Sequence, residues 1–250
     1  MSEEKFFIGW ASEIPDKDRR TVLKGSLALV GAGMVGGAIL AHQQRPVGPG
    51  MWDQGDIRTF TGIATDAPYA MLRTSDISGS PQTALLACTG KCGVSARIRS
   101  YAGQHVQVRG SLIQRGRHAM IAVVDDMDWI SPVSSDSSTE LSFAQAEHVD
   151  DISLVGRIVD SKCWFGAMRP AQGKVHKACA ALCIRGGIPP AFLVNDRTGN
   201  SNLLIMADNG FAYDDTILPL VADPLRVSGR LERRNDLLFL NAKVSDMMRV

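Results

Sequence analysis

Short runs in which apolar and polar residues alternate cover most of this chain, the period-two pattern of strands with one buried face. They occur at Phe60–Asp66 (FTGIATD), Thr83–Cys88 (TALLAC), Tyr101–Ile113 (YAGQHVQVRGSLI) and from His118 (HAMIAVVDDMDWI). Similar runs return at Leu154–Asp160 (LVGRIVD), within SNLLIMAD from Ser201, at Val221–Leu231 (VADPLRVSGRL) and from Leu237 (LLFLNAKVSDMMRV). Two stretches break the alternation. Gly25 to Ala41 is a run of seventeen uncharged residues, which as a helix spans roughly 25 Å, close to a bilayer core. Lys174 to Ile184 (KVHKACAALCI) reads as a short helix stopped by Gly186-Gly187.

The strand runs form an internal repeat, with the serine-rich linker SPVSSDSSTE from Ser131 between the halves. Gly62 matches Gly156, a shift of 94 residues, whereas Leu85 matches Leu203, a shift of 118. The second half therefore carries an insertion between its first and third strands, placed at residues 161–190. The segments Val106-Gln107-Val108-Arg109-Gly110 and Leu225-Arg226-Val227-Ser228-Gly229 resemble the fourth strand of an oligonucleotide/oligosaccharide-binding (OB) barrel, where glycine marks a sharp bend. The resemblance implies an all-β fold of two OB-fold-like five-stranded barrels in tandem, after one N-terminal transmembrane helix and with a short helical insertion in the second barrel. The boundaries expected are a cytoplasmic tail at 1–20, an anchor at 21–41, a linker at 42–56, barrels at 57–130 and 151–250, and a second linker at 131–150.

Arg19-Arg20 followed by Val22-Leu23-Lys24 resembles the twin-arginine export signal of bacteria, with Asp18 and Val22 where that signal usually has serine and phenylalanine. The signal residues are Arg19, Arg20, Leu23 and Lys24. No clean small-x-small cleavage site follows Ala41, so the segment reads as a retained anchor, as in Rieske iron–sulfur proteins, whose likeness covers the N-terminus only. Lys17, Arg19, Arg20 and Lys24 flank the run on one side and only Arg45 on the other, which keeps the N-terminus cytoplasmic and the barrels periplasmic. Gly33 and Gly37 permit close helix packing in the membrane, and the apolar tail Phe6–Pro15 (FFIGWASEIP) either lies in the interface or docks on a neighbouring subunit.

A formal charge of +1 without a basic stripe removes nucleic acid as a partner. No phosphate-binding Gly-Lys-Ser/Thr loop, Gly-x-Ser-x-Gly elbow or His-Glu-x-x-His motif occurs, so no catalytic residues are assigned. The chemistry lies in five cysteines, which on this topology face an oxidising compartment. Cys88 and Cys92 (CTGKC) suit a local disulfide across the turn between them. Cys163, His176, Cys179 and Cys183 have the spacing C-x12-H-x2-C-x3-C, the last three on one helix face. They fit a zinc or iron–sulfur centre, a disulfide from Cys163 to Cys179 or Cys183 that staples the insertion to its barrel, or a reactive thiol. Lys174, Lys177 and Arg185 near the histidine either lower a thiol pKa or form a solvated basic face.

The function expected is a membrane-anchored periplasmic accessory subunit of a bacterial respiratory or redox membrane complex, partnered by integral membrane subunits. The alternative is a periplasmic metal- or iron–sulfur-binding electron-transfer or thiol-redox protein using Cys163, His176, Cys179 and Cys183.

Overall fold

The computed structural model describes residues 16, 18–28, 30, 48–134, 141–195 and 201–250. It divides into two units, Met1–Pro46 and Val47–Val250. In the first, residues 18–28 are helical, and Arg19, Arg20, Leu23 and Lys24 are exposed on that helix. The tail Phe6–Pro15 and most of the expected anchor, including residues 31–41, lie outside the described residues. Among the described residues, no helix is long and apolar enough to cross a membrane.

The second unit is built from two strand sets of the same design. The first comprises β1 (Met51–Thr65), β2 (Met71–Ser75), β3 (Pro81–Cys88), β4 (His105–Arg115), β5 (His118–Val123) and β6 (Ile130–Pro132). The second comprises β7 (Glu147–Asp160), β8 (Pro190–Asn195), β9 (Ser201–Ala207), β10 (Pro224–Arg234), β11 (Leu237–Asn241) and β12 (Met247–Arg249). A short helix, α1 (Ser95–Ile98), follows β3, and α2 (Lys177–Arg185) lies between β7 and β8. In the first set the hydrogen-bonded order β1-β2-β3-β5-β4 returns to β1, closing a barrel, and β3 and β5 run parallel. The second set repeats this order as β7-β8-β9-β11-β10 and back to β7, with β9 and β11 parallel. Both are OB-like, as the repeated fourth-strand pattern implies. Gly110 and Gly229 stand where the fourth strand is squeezed between two partners: a Cβ there would lie 2.5 Å from the Ala122 carbonyl oxygen and 2.4 Å from that of Asn241.

Two features depart from the sequence reading. β1 and β7 begin at Met51 and Glu147, inside the stretches expected to be linkers, because their charged outer arms still pair with β4 and β10. The repeat register also differs. Leu85 pairs with Met71 and Met120, and the residue with the equivalent partners, Ala191 and Phe239, is Ile205 rather than Leu203. A two-residue slip keeps every side chain on its own face, so alternation alone cannot reveal it.

The strands β2, β3 and β5, with β8, β9 and β11, are buried on both faces. Leu72, Ala84, Leu86 and Ile121 fill the first barrel, while Ile158, Phe192, Leu204, Met206 and Leu240 fill the second. Alternate residues on the same strands point outward and meet in a third core: Met71, Leu85 and Met120 pack with Ala191, Ile205 and Phe239. Equivalent faces of the two barrels therefore join, which explains why TALLAC, HAMIAV and LLIMA are nearly continuous apolar runs. Polar ties cross the same junction. Tyr69 Oη donates to the Met206 carbonyl at 2.8 Å, and Arg73 Nη1 lies 2.5 Å from Asp236 Oδ1, which also accepts from Thr83.

Candidate metal centre

The insertion Ser161–Pro189 occupies the β7–β8 connection of the second barrel, where the first barrel has only Asp66–Ala70. It begins with a helical turn that widens to a π-turn over Cys163–Ala167 and carries Cys163, Trp164 and Phe165 into the shared core. His118 of the first barrel stacks on Phe165 with ring centroids 5.4 Å apart, and the Arg115 guanidinium lies 4.0 Å over Trp164. Trp164 and Phe165 are thus packing residues. The chain then passes through an exposed stretch to a 3-10 turn, Lys174–His176, which runs into α2. The helix ends at Gly186, followed by Gly187 at a φ of 97°.

This path brings three sulfurs together. Cys163 arrives from the buried turn, and Cys179 and Cys183 from one face of α2. Their Sγ atoms all lie within 4.8 Å of one another. The staple expected of Cys163 is not among the bonds of this structure, and Cys163, Cys179 and Cys183 are free thiols. Cys88 and Cys92 form the expected disulfide.

His176 belongs to a neighbouring group. It stands at the junction of the 3-10 turn and the helix, so helical spacing does not hold its ring over Cys179 and Cys183. Instead its Nε2 lies 3.1 Å from Asp160 Oδ2. Asp160 Oδ1 accepts the Cys163 N–H at 2.8 Å, in the manner of a capping carboxylate. Asp160, Cys163 and His176 form a second set of donor atoms within 4.8 Å, fully buried, that shares Cys163 with the first. The four residues grouped by spacing therefore split between two adjoining sets. Asp160 is the member the sequence reading missed, although an aspartate three residues before a cysteine at a strand end is a recognisable cap.

A residue of the other barrel completes the site. The Cys88–Cys92 loop docks against the end of α2: Gly93 N donates to the Gly186 carbonyl at 2.7 Å. A Cβ on Gly186 would lie 1.8 Å from the Lys91 carbonyl oxygen, so Gly186 is required for this approach, while Gly187 takes the left-handed conformation just beyond the helix. The docked loop carries Lys91, whose Nζ lies 2.7 Å from Cys179 Sγ and 3.9 Å from Cys183 Sγ. Beneath it, the Lys162 ammonium is almost wholly buried and donates to the carbonyls of Cys88, Thr89 and Gly90 at 2.6, 2.7 and 2.7 Å. The basic residues near His176 have other work: Lys177 Nζ lies 2.8 Å from Asp223, and Arg185 lies 3.5 Å from Asp215.

The electrostatics divide the thiols. A hydrogen bond between Cys163 and Cys183 holds the Cys183 pKa below its ordinary value, with help from the Lys91 charge. The same bond, then burial and the Asp160 charge, drives Cys163 upward. Of this pair, Cys183 is therefore the more acidic. Lys91 is held protonated by its bond to Cys179, while burial pulls the Lys162 pKa down.

Ligands about 2.3 Å from a tetrahedral ion lie about 3.8 Å from each other, a spacing these three thiols can adopt around one ion. An iron–sulfur cluster on four cysteines is not available, because two of the five cysteines are joined as Cys88–Cys92. No protein-family model matches the chain, and no curated protein or solved structure matches it significantly.

Proposed function

We propose that the chain is an exported, membrane-anchored subunit of a bacterial redox membrane complex that holds a single thiophilic metal ion on Cys163, Cys179 and Cys183. The observation that carries the site is the convergence of three free thiols within 4.8 Å of one another at the junction of two barrels. Thiols this close in an oxidising compartment persist when a metal occupies them and otherwise pair. Export and anchoring rest on the paired arginines and the apolar run to Ala41; the partner is read from the helix-packing glycines and the apolar tail.

Elemental analysis of the full chain, purified in mild detergent, tests the site. The expected result is about one metal ion per chain, lost in Cys179→Ser. Metal-free protein carrying a Cys163–Cys183 disulfide opposes it. Co-purification of integral membrane subunits tests the assembly, and a reporter at the C-terminus active only in the cytosol would overturn the topology.

The contact between Lys91 and the partly exposed Cys179 favours a second reading, a thiol–disulfide protein with Cys179 as its accessible thiol. It predicts metal-free protein in which Cys179 is alkylated faster than the buried Cys163 and Cys183.

A further inference from the structure

We infer that the ion is monovalent copper, with the Met168 thioether as a fourth sulfur donor and Lys91 and Lys162 as its counter-charges; this rests on the metal-site reading above. The first argument is donor type. The Cys179 thiol lies 3.5 Å from Met168 Sδ. His176 groups with Asp160 and Cys163, not with Cys179 and Cys183, so the three-thiol set draws no imidazole nitrogen. Structural zinc sites are closed by four ligands of the cysteine, histidine or carboxylate type. Soft sulfur donors suit Cu(I), zinc and iron–sulfur clusters, and a thioether, which is not among the usual zinc ligands, points to Cu(I).

Charge assists a metal ion here without selecting one. Lys91 contacts Cys179 and Cys183 directly, and Lys162, only 2% exposed, is the residue before Cys163. Together they offset the negative charge that three thiolates and the buried Asp160 carboxylate bring to the site.

The second argument is access. Cys163 and Cys183 are buried, but Cys179 is partly exposed and Met168 is 46% exposed. Met168 also lines a cavity of about 260 Å³ with Arg115, Trp164 and Arg169. The site therefore opens on its Cys179–Met168 side, as a site that accepts and releases its ion requires. Binding itself is not a redox step: the ion arrives as Cu(I), each coordinating thiol releases its proton to solvent, and no electron moves.

The full chain in detergent, reduced and kept free of oxygen, is titrated with Cu(I) against a colour-forming Cu(I) chelator, and separately with Zn(II) against a zinc chelator. One Cu(I) per chain, bound more tightly than zinc and surrounded only by sulfur in copper-edge X-ray absorption, is the expected result. Lys91→Gln lowers Cu(I) affinity by roughly 10- to 100-fold, the usual effect of removing an outer partner of a metal ligand. Lys91 is exposed, so an unchanged thermal unfolding midpoint shows that the variant keeps the fold. Tighter binding of zinc, or nitrogen or oxygen neighbours at copper, overturns the copper assignment while the metal-site reading stands. Binding of neither metal defeats both.

Discussion

The β1–β2 and β7–β8 connections occupy equivalent places in two barrels with the same strand order, and they differ in nearly everything else. The first is five residues, Asp66–Ala70, that turn the chain and send Tyr69 across to the second barrel. The second is 29 residues, Ser161–Pro189, that bring three cysteines to one point. The scaffold tolerates both because its closure depends on β4 and β10, not on this loop. Yet the longer loop is no appendage. Phe165 is fully buried in the core that both barrels share, together with Trp164, Cys183 and Ile188. The lesson is that the insertion joins the barrels and carries the chemistry with the same residues.

The sharpest way to break that equivalence is Phe165→Ala. Losing a buried phenylalanine costs about 3–5 kcal/mol, and the loss falls on both barrels because their core is common. Denaturant unfolding should show one cooperative transition at a lower midpoint. Two separated transitions would show that the barrels are energetically independent.

A somewhat smaller effect is expected at His118, which packs the insertion from the first barrel. Burial, with Arg117 nearby, lowers its pKa from 6.5 to about 4. Its Nδ1 has no hydrogen-bond partner among the described residues. The unfolded chain therefore takes up a proton as pH falls below about 6.5 while the folded chain resists until about 4. Stability is unaffected by this group above neutral pH and declines through that window, by up to about 3 kcal/mol. Denaturant midpoints at pH 7 and pH 4 measure the decline, and His118→Phe should remove this share of it. An identical pH dependence in the variant would assign the acid sensitivity elsewhere.

The smallest effect concerns the loop that the first barrel contributes. Replacing both Cys88 and Cys92 by serine opens a ring of five residues, for which lost chain entropy amounts to about 2 kcal/mol. The carbonyls that hold Lys162 and the turn that presents Lys91 loosen with it. Metal affinity should then fall even under conditions where the fold survives, and unchanged affinity would show that Lys91 is positioned without the disulfide.

Much of this was legible in the chain. The repeated valine-x-valine-x-glycine strand, the insertion after Asp160, the helix ended by Gly186 and the Cys88–Cys92 bond all follow from local pattern, because neighbours in sequence set them. What escaped depends on long-range placement. Lys91 meets Cys179 across 88 residues, and nothing near either residue marks the other. His176 shares a helical spacing with Cys179 and Cys183 but lies just before the helix proper, so its ring takes the buried Asp160 instead. The apolar outer faces of β3 and β9 signal a covered surface, but not that each covers the other.

The measurement that bears most directly on the central claim is a thiol count by mass spectrometry on the full chain, alkylated before and after treatment with a strong chelator. Three thiols, Cys163, Cys179 and Cys183, that are protected until the chelator removes a metal, beside an intact Cys88–Cys92 bond, is the predicted result. A Cys163–Cys183 disulfide with one thiol alkylated regardless of chelator would contradict it.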